Sequence, residues 1–143
     1  MEKYALITGG TKGIGKAVAF CLGKAGYNLV LTYASDPNTA EHTREQLQLQ
    51  LQVKVFVLQA DVTDKESIEK IYTYLLEKDL QLDAVVFNAG LTCRDSFEEL
   101  SLAGWEQVFF ANVHFPVFFL QRIVGRINKG GSVVFTGSLM GIQ

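Results

Sequence analysis

Residues 4–15 read Tyr-Ala-Leu-Ile-Thr-Gly-Gly-Thr-Lys-Gly-Ile-Gly, a short apolar run that leads into a glycine-rich segment. The apolar run predicts a buried strand, and the glycines predict a turn after it. Apolar residues from Val18 to Ala25 recur at helical spacing, so they predict a helix, which Gly26 ends. A helix that begins after such a turn offers free N–H groups to an anion, and glycines let a diphosphate approach the backbone. An ordinary tight turn is the alternative, but the density of glycines favours a phosphate site.

The same glycine-rich segment comes close to a second phosphate-binding pattern. Gly10, Gly15 and Lys16 match most of a P-loop, in which Ser or Thr follows the lysine. Ala17 stands at that position, so the hydroxyl that would bind magnesium is missing. We therefore expect this loop to bind a dinucleotide and not a nucleotide that is hydrolysed.

Strand-like and helix-like segments alternate along the rest of the chain. The predicted strands are residues 4–8, 28–33, 53–58, 82–87 and 132–136. Because these strands lack internal alternation and a predicted helix separates each from the next, they indicate a parallel sheet covered on both faces. We predict an α/β fold, a doubly wound parallel sheet of the Rossmann type with five strands in three αβα layers, forming one domain over residues 1–143.

Two helix starts carry local signals. Asp36 and Pro37 provide an N-cap and a first-turn proline for a helix that extends toward Leu51. Thr63 and Glu66 have the spacing of a capping box at the start of the next helix.

Composition narrows the class of protein. The chain has 143 residues, of which 48% are hydrophobic and 20% charged, with a net charge of −2, so disorder and a basic nucleic-acid surface are excluded. The apolar run 108–120 is interrupted by polar residues and a proline and is too short to span a bilayer. The N-terminus lacks a signal-peptide pattern, and we expect a cytoplasmic protein without membrane partners. Cys21, predicted in the core, and Cys93 are expected to be free thiols, and no metal-ligand spacing occurs.

Five motifs then occur in order at the ends of predicted elements or within a helix. They are Thr8-Gly9-x-x-x-Gly13-Ile14-Gly15, Asp61-Val62, Asn88-Ala89-Gly90, Asn112 and Ser138. Together they resemble the short-chain dehydrogenase/reductase family over the whole chain, and residues 88–112 are most similar to its 3-oxoacyl-[acyl-carrier-protein] reductases. The resemblance implies that hydride passes from NADPH to a carbonyl substrate. Phe87 departs from the pattern, because the family usually has Asn there.

The resemblance also implies roles for individual residues. Asp61 would accept a hydrogen bond from the adenine amino group, although a turn-forming Asp is the alternative. Ser138 would hydrogen-bond the substrate's carbonyl oxygen, and Asn112 is the second catalytic residue. The cofactor-binding residues implied are Gly9, Thr11, Lys12, Gly13, Ile14, Gly15, Tyr33, Ser35, Asp61, Val62, Asn88, Ala89 and Gly90.

Asn112 also stands out on physical grounds, because it lies in an otherwise apolar predicted helix. Pro116 follows four residues later and has no N–H, so the main-chain carbonyl of Asn112 loses its helical partner and is free to hold a water. In the family the corresponding Asn holds the water of a proton relay. A simple proline kink is the alternative.

The family pattern stops after Ser138. The general acid of the family is a Tyr in a Tyr-x-x-x-Lys motif, and the five residues after Ser138 contain neither Tyr nor Lys. Tyr74 and Lys78 match the spacing, but they lie on a predicted helix at the flank of the sheet. We therefore expect the working protein to continue past Gln143, and a protein ending there to be inactive.

Two further expectations concern cofactor choice and assembly. The second strand ends in Tyr33-Ala34-Ser35 without an acid for the ribose hydroxyls, and Lys12 could meet a 2′-phosphate, so NADP is preferred over NAD. The predicted helix 105–127 is apolar nearly all round and is expected to join a homodimer or homotetramer. A dinucleotide-sensing module without chemistry remains the alternative function.

Overall fold

A computed structural model describes residues 1–138, and its strands form one parallel sheet. The strands are β1 (Lys3–Ile7), β2 (Tyr27–Tyr33), β3 (Val55–Gln59), β4 (Leu82–Phe87) and β5 (Ile127–Phe135). Their order across the sheet is β3-β2-β1-β4-β5, and every neighbouring pair is parallel. The predicted doubly wound α/β fold with five strands is confirmed. The boundaries of β4 are as predicted, whereas β5 begins five residues earlier than the apolar pattern indicated.

Helices connect successive strands and cover both faces of the sheet. They are α1 (Gly13–Lys24), α2 (Pro37–Leu51), α3 (Glu66–Glu77), α4 (Leu102–Phe109) and α5 (Phe115–Ile123). Side chains alternate across the pleat, so Ala5 and Ile7 pack in the core beneath α1 and α2, while Leu6 packs in the core beneath α3 and α5. The two cores hold all five carboxyl ends of the strands at one edge of the sheet.

The buried face of α1 consists of small residues, which corrects the prediction for Cys21. Gly15, Ala19 and Gly23 face the sheet, whereas Cys21 is exposed and Ile14 is 69% exposed. Val18 and Leu22 pack against the core as the helical spacing predicted, whereas Cys21 lies outside the buried face. The small residues allow α1 to lie close to the sheet and to the glycine loop.

The start of α3 also differs from its prediction. The helix begins at Glu66, and the Oδ1 of Asp64 accepts a hydrogen bond from the Glu66 N–H at 2.9 Å. The capping box of Thr63 and Glu66 is wrong, because Thr63 donates its own N–H and hydroxyl to Asp61. By contrast, the Asp36 cap is confirmed, since its Oδ1 accepts from the N–H of Thr39 at 3.0 Å.

The apolar segment after β4 forms one helical rod of 25 residues, Leu102–Arg126. It includes α4, a π-helical segment (Phe110–His114), α5 and a final 3-10 turn (Val124–Arg126). By length and composition alone this rod could cross a membrane, because helix continues on both sides of the apolar run 108–120. Phe115, Phe119 and Ile123 nevertheless pack in the core under the sheet.

Candidate functional site

A cavity of about 530 Å³ opens at the carboxyl ends of β1, β2, β3 and β4. This is the edge at which ligands bind in open parallel sheets. Ten of the residues implied by the sequence line it: Gly9, Thr11, Lys12, Tyr33, Ser35, Asp61, Val62, Asn88, Ala89 and Gly90. The fold therefore brings predicted residues that are up to 81 positions apart in the chain, Gly9 and Gly90, to the lining of a single cavity.

Five of the predicted residues do not line this cavity. Gly15 is buried beneath the loop, Gly13 and Ile14 are exposed at the start of α1, and Asn112 and Ser138 lie beyond it. Gly15 acts through packing, because a Cβ there would lie 2.2 Å from the carbonyl oxygen of Gly9. Only glycine lets α1 approach the loop this closely.

Hydroxyl groups of buried threonines hold the start of the glycine loop. The Oγ1 of Thr8 accepts hydrogen bonds from the N–H groups of Asn88 and Ala89 at 3.0 and 3.1 Å. The Oγ1 of Thr32 accepts from the N–H of Gly9 at 3.2 Å. These bonds tie the end of β1 to its two neighbours, β4 and β2, so the loop leaves the sheet in one fixed direction.

The N-terminus of α1 fits an anion such as the diphosphate of a dinucleotide. Lys12 occupies the N-cap position, and among the described residues its side chain makes no capping hydrogen bond. Gly13 has φ of +56°, and a Cβ built on it would meet no atom within 4 Å. The space above the first turn is therefore open, while the unpaired N–H groups and the helix dipole favour negative charge there.

Beside the end of β2, the cavity is lined by Lys12 from the glycine loop and by Ser35 and Asp36. Both oxygens of Asp36 accept hydrogen bonds from Thr39, Oδ1 from the N–H at 3.0 Å and Oδ2 from the hydroxyl at 2.7 Å. These bonds, chiefly that from the Thr39 hydroxyl, lower the pKa of Asp36, and the charge of Lys12 adds to the effect.

Asp61 fills the role of a turn former and also lines the cavity. Its Oδ1 accepts hydrogen bonds from the N–H and the hydroxyl of Thr63, each at 2.8 Å. Both bonds end on the same oxygen. The turn and the ligand role, posed as alternatives from the sequence, are thus compatible in the geometry.

The loop after β4 is fastened to the long helical rod by Asn112. The side chain of Asn112 donates from Nδ2 to the carbonyl oxygen of Leu91 at 2.7 Å and accepts at Oδ1 from the Leu91 N–H at 2.9 Å. A Cβ on Gly90 would lie 2.8 Å from this Oδ1, so glycine makes the close approach possible. The two bonds hold Leu91, and with it the part of the loop that lines the cavity, against the helical rod.

Asn112 also lies in the π-helical segment, where the N–H of Phe115 reaches back five residues to the carbonyl of Phe110. Pro116 follows and cannot donate to the carbonyl of Asn112. Wider turns of this kind are frequent at functional sites. The hydrogen bonds of the Asn112 side chain to Leu91 were not indicated by the sequence.

Several cavity residues were missed by the sequence. They are Ala34, Asp36, Ala60, Thr63, Leu91 and Gln107. Most of them neighbour predicted residues, so the ends of the strands could have suggested them. Gln107 reaches the cavity from α4, and no local signal marks it.

Tyr74 lies away from this cavity, which supports the rejection of Tyr74 and Lys78 as a catalytic pair. Its ring packs edge-on against Phe56 at 6.4 Å in the core beneath α3. Burial raises the pKa of the Tyr74 phenol, whereas a lysine-assisted general acid needs the opposite shift.

In residues 1–138 no group of three or more His, Cys, Asp or Glu side chains could hold a metal ion.

Comparison with known proteins gives a consistent result. The sequence model described as short chain dehydrogenase matches residues 3–143. The short-chain dehydrogenase/reductase FrzI of a Cladobotryum species is 29% identical over 139 residues, covering 97% of this chain and 54% of that protein. The 3-oxoacyl-[acyl-carrier-protein] reductase FabG of Staphylococcus aureus is 27% identical over 143 residues, covering 99% of this chain and 58% of that protein.

The fold agrees with these relatives. A short chain dehydrogenase from Burkholderia cenocepacia, solved in complex with NADP, superposes with a TM-score of 0.92 at 28% identity, covering 99% of this chain and 57% of that one. This chain thus spans somewhat more than half the length of the relatives that it matches.

Proposed function

The chain belongs to the short chain dehydrogenase family, and from this premise we propose that the protein is an NADP(H)-dependent oxidoreductase that reduces a carbonyl group. The substrate class we propose is a 3-oxoacyl group carried as a thioester. The similarity of the chain to the S. aureus 3-oxoacyl-[acyl-carrier-protein] reductase supports this choice, as does the resemblance of residues 88–112.

One observation carries the cofactor assignment. The glycine loop and the ends of β2, β3 and β4 converge on a cavity beside the open N-terminus of α1. A dinucleotide needs an anion site flanked by two places for nucleoside groups, and this edge of the sheet supplies them in that arrangement.

Different residues of the cavity bind different groups of the dinucleotide. The N–H groups at the start of α1 bind the diphosphate, and the ammonium of Lys12 with the hydroxyl of Ser35 binds the 2′-phosphate. The carboxylate of Asp36 is oriented toward the first turn of α2, because Thr39 donates a hydrogen bond to each of its oxygens. The Oδ2 of Asp61 accepts from the adenine amino group while Oδ1 holds the turn.

When bound in this cavity, the nicotinamide of the cofactor would supply hydride to the carbonyl carbon of the substrate. Ser138 donates its hydroxyl to the substrate's carbonyl oxygen and stabilises the negative charge that develops there. Asn112 orients the loop at Gly90 and Leu91 through its side chain. Its main-chain carbonyl lacks the usual donor four residues later, because position 116 is proline, and would hold a water for proton transfer.

Cofactor choice is tested by measuring dissociation constants of the intact protein for NADPH and NADH. We expect NADPH to bind more tightly, and Lys12→Ala to weaken NADPH binding by about tenfold, as for one charge-assisted hydrogen bond, with little change for NADH. Lys24→Ala, on the last turn of α1, is the matched control. Tighter binding of NADH by the wild-type protein would contradict the assignment.

Turnover is tested with NADPH and a 3-oxoacyl thioester, with a simple sugar as the competing substrate class. Ser138→Ala should lower kcat by about 10²–10³-fold while leaving the affinity for NADPH unchanged. If the intact protein binds NADPH but reduces no carbonyl compound, the sensing module is the better account.

We further propose that the helical rod joins two copies of the protein. Phe115 and Phe119, which the sequence placed in the seam, are buried in the core, so the exposed stripe is narrower than predicted. It consists of Leu102, Trp105, Phe109, Val113, Val117, Phe118 and Val124. A contiguous apolar surface of this kind is typical of an interface.

Light scattering on the intact protein tests this assembly. We expect a dimer or tetramer that Val117→Glu converts to smaller species. The control is Leu49→Glu on α2, where the wild-type leucine is 82% exposed and lies off the stripe. A monomeric wild-type protein, or equal dissociation by both variants, would refute the interface.

A further inference from the structure

Thr43 lies on α2, behind the cavity, and its hydroxyl reaches the glycine loop. The Oγ1 of Thr43 donates a hydrogen bond to the main-chain carbonyl of Thr11 at 2.8 Å. Thr43 is 1% exposed and Thr11 is 3% exposed, so the bond is shielded from water. It joins the loop to a helix 32 residues further along the chain.

This bond acts on a different part of the loop from the other threonine contacts. Thr8 and Thr32 hold the loop at Gly9, next to Asn88 and Ala89 at the end of β4. Thr43 holds the peptide that precedes Lys12, at the end of the loop that shares the cavity wall with Ser35 and Asp36. The two sets of bonds therefore position opposite ends of the glycine loop.

The orientation of one peptide links Thr43 to the cofactor. The peptide between Thr11 and Lys12 is planar, so directing its carbonyl toward α2 sets the direction of its N–H and the departure of the Lys12 side chain. We propose that Thr43 is a positioning residue that sets the preference for NADPH over NADH by holding Lys12 in place for the 2′-phosphate. This inference rests on the proposed function.

A hydroxyl is required at this position because a buried carbonyl needs a donor. Ala40, Thr43 and Leu47 form the buried stripe of α2, so an apolar side chain would suit the packing at position 43 equally well. Valine has nearly the same shape as threonine but would leave the Thr11 carbonyl without this donor. The peptide between Thr11 and Lys12 would then rotate so that the Thr11 carbonyl reaches another donor, and this rotation would displace Lys12.

The test measures the dissociation constants of NADPH and NADH for the intact wild-type protein and three variants. Thr43→Val should weaken NADPH binding by about five- to tenfold, which corresponds to one buried hydrogen bond, and NADH binding by less than about twofold. Thr43→Ser keeps the donor and should restore the preference. Thr32→Val, which releases the other end of the loop, should weaken both dinucleotides alike.

Folding is checked by thermal unfolding without cofactor, and Thr43→Ala replaces Thr43→Val if the valine variant does not fold. In a Lys12→Ala background, Thr43→Val should have no further effect on the preference. Equal weakening of both dinucleotides by Thr43→Val, or no effect on either, would overturn the role of Thr43 and leave the proposed function intact. A wild-type protein that prefers NADH would overturn both.

Discussion

Gly15→Ala is the substitution for which the structure makes the strongest prediction. Gly15 lies in the first turn of α1, where a Cβ would be 2.2 Å from the carbonyl oxygen of Gly9 and 2.7 Å from the Nδ2 of Asn88. Neither atom can move away alone, because Gly9 is held by Thr32 and the Asn88 amide donates to the carbonyls of Thr8 and Gly9. The methyl group must therefore push α1 away from the loop.

The expected loss can be assembled from two opposing effects. Alanine favours a helix over glycine by about 1 kcal/mol, which would stabilise the variant. Overpacking in a tight interior costs about 1–3 kcal/mol or more, and a contact of 2.2 Å with a backbone atom belongs at the upper end. We expect a net loss of roughly 2 kcal/mol in the free energy of unfolding, together with weaker NADPH binding because the loop moves.

The stability of Gly15→Ala is measured by urea unfolding and its affinity for NADPH by titration, and alanine substitutions at two other glycines are the matched controls. A Cβ on Gly23 would lie 2.6 Å from the Cδ1 of Leu51, the end of a side chain that can rotate away, so Gly23→Ala should cost little. A Cβ on Gly125 would meet no atom within 4 Å, so Gly125→Ala should be neutral or stabilising by about 0.4–1 kcal/mol. If Gly15→Ala were as stable as Gly125→Ala and bound NADPH normally, the packing argument would be refuted.

Three other predictions concern the neighbourhood of the cavity. Asn112→Leu removes both hydrogen bonds to Leu91 and should lower stability by about 1 kcal/mol in urea unfolding and also lower kcat; unchanged kcat would contradict the positioning of this loop. Phe87→Asn, which restores the residue usual in the family, should destabilise by roughly 3–4 kcal/mol because it removes a buried ring, and calorimetry on the two forms checks this. Because the pKa of Asp36 is lowered in the fold, its cap stabilises α2 above about pH 3.9 and the benefit is lost as the pH falls through the lower folded value. The difference in Tm between wild type and Asp36→Ala should therefore shrink on acidification, and a difference independent of pH would count against the charged cap.

Local patterns in the sequence were sufficient for much of the fold. The apolar run that forms β4 and the cap at Asp36 with Pro37 predicted an element and a helix start correctly, because strand burial and N-capping depend on a few consecutive residues. The glycine loop and the order of the motifs likewise indicated which ends of the strands line the cavity.

Predictions failed where a residue's environment comes from distant parts of the chain. Cys21 has the periodicity of a core residue, yet α1 turns its small residues inward because the sheet and the glycine loop leave no room for larger ones. Thr63 failed for a local reason instead: its N–H is donated to Asp61 and the N–H of Glu66 is donated to Asp64, so neither bond of a capping box forms.

The fold class, the glycine loop and ten of the residues around the cavity could be predicted from the sequence alone. How two of these groups are held follows from tertiary contacts alone: the Asn112 side chain pairs with Leu91, and the Thr11 carbonyl accepts a hydrogen bond from Thr43. The reason is that motif and periodicity describe neighbours along the chain, whereas parallel strands bring their carboxyl ends together across long separations. Hydrogen bonds made at that edge depend on which distant groups arrive there, and on the direction in which each one points.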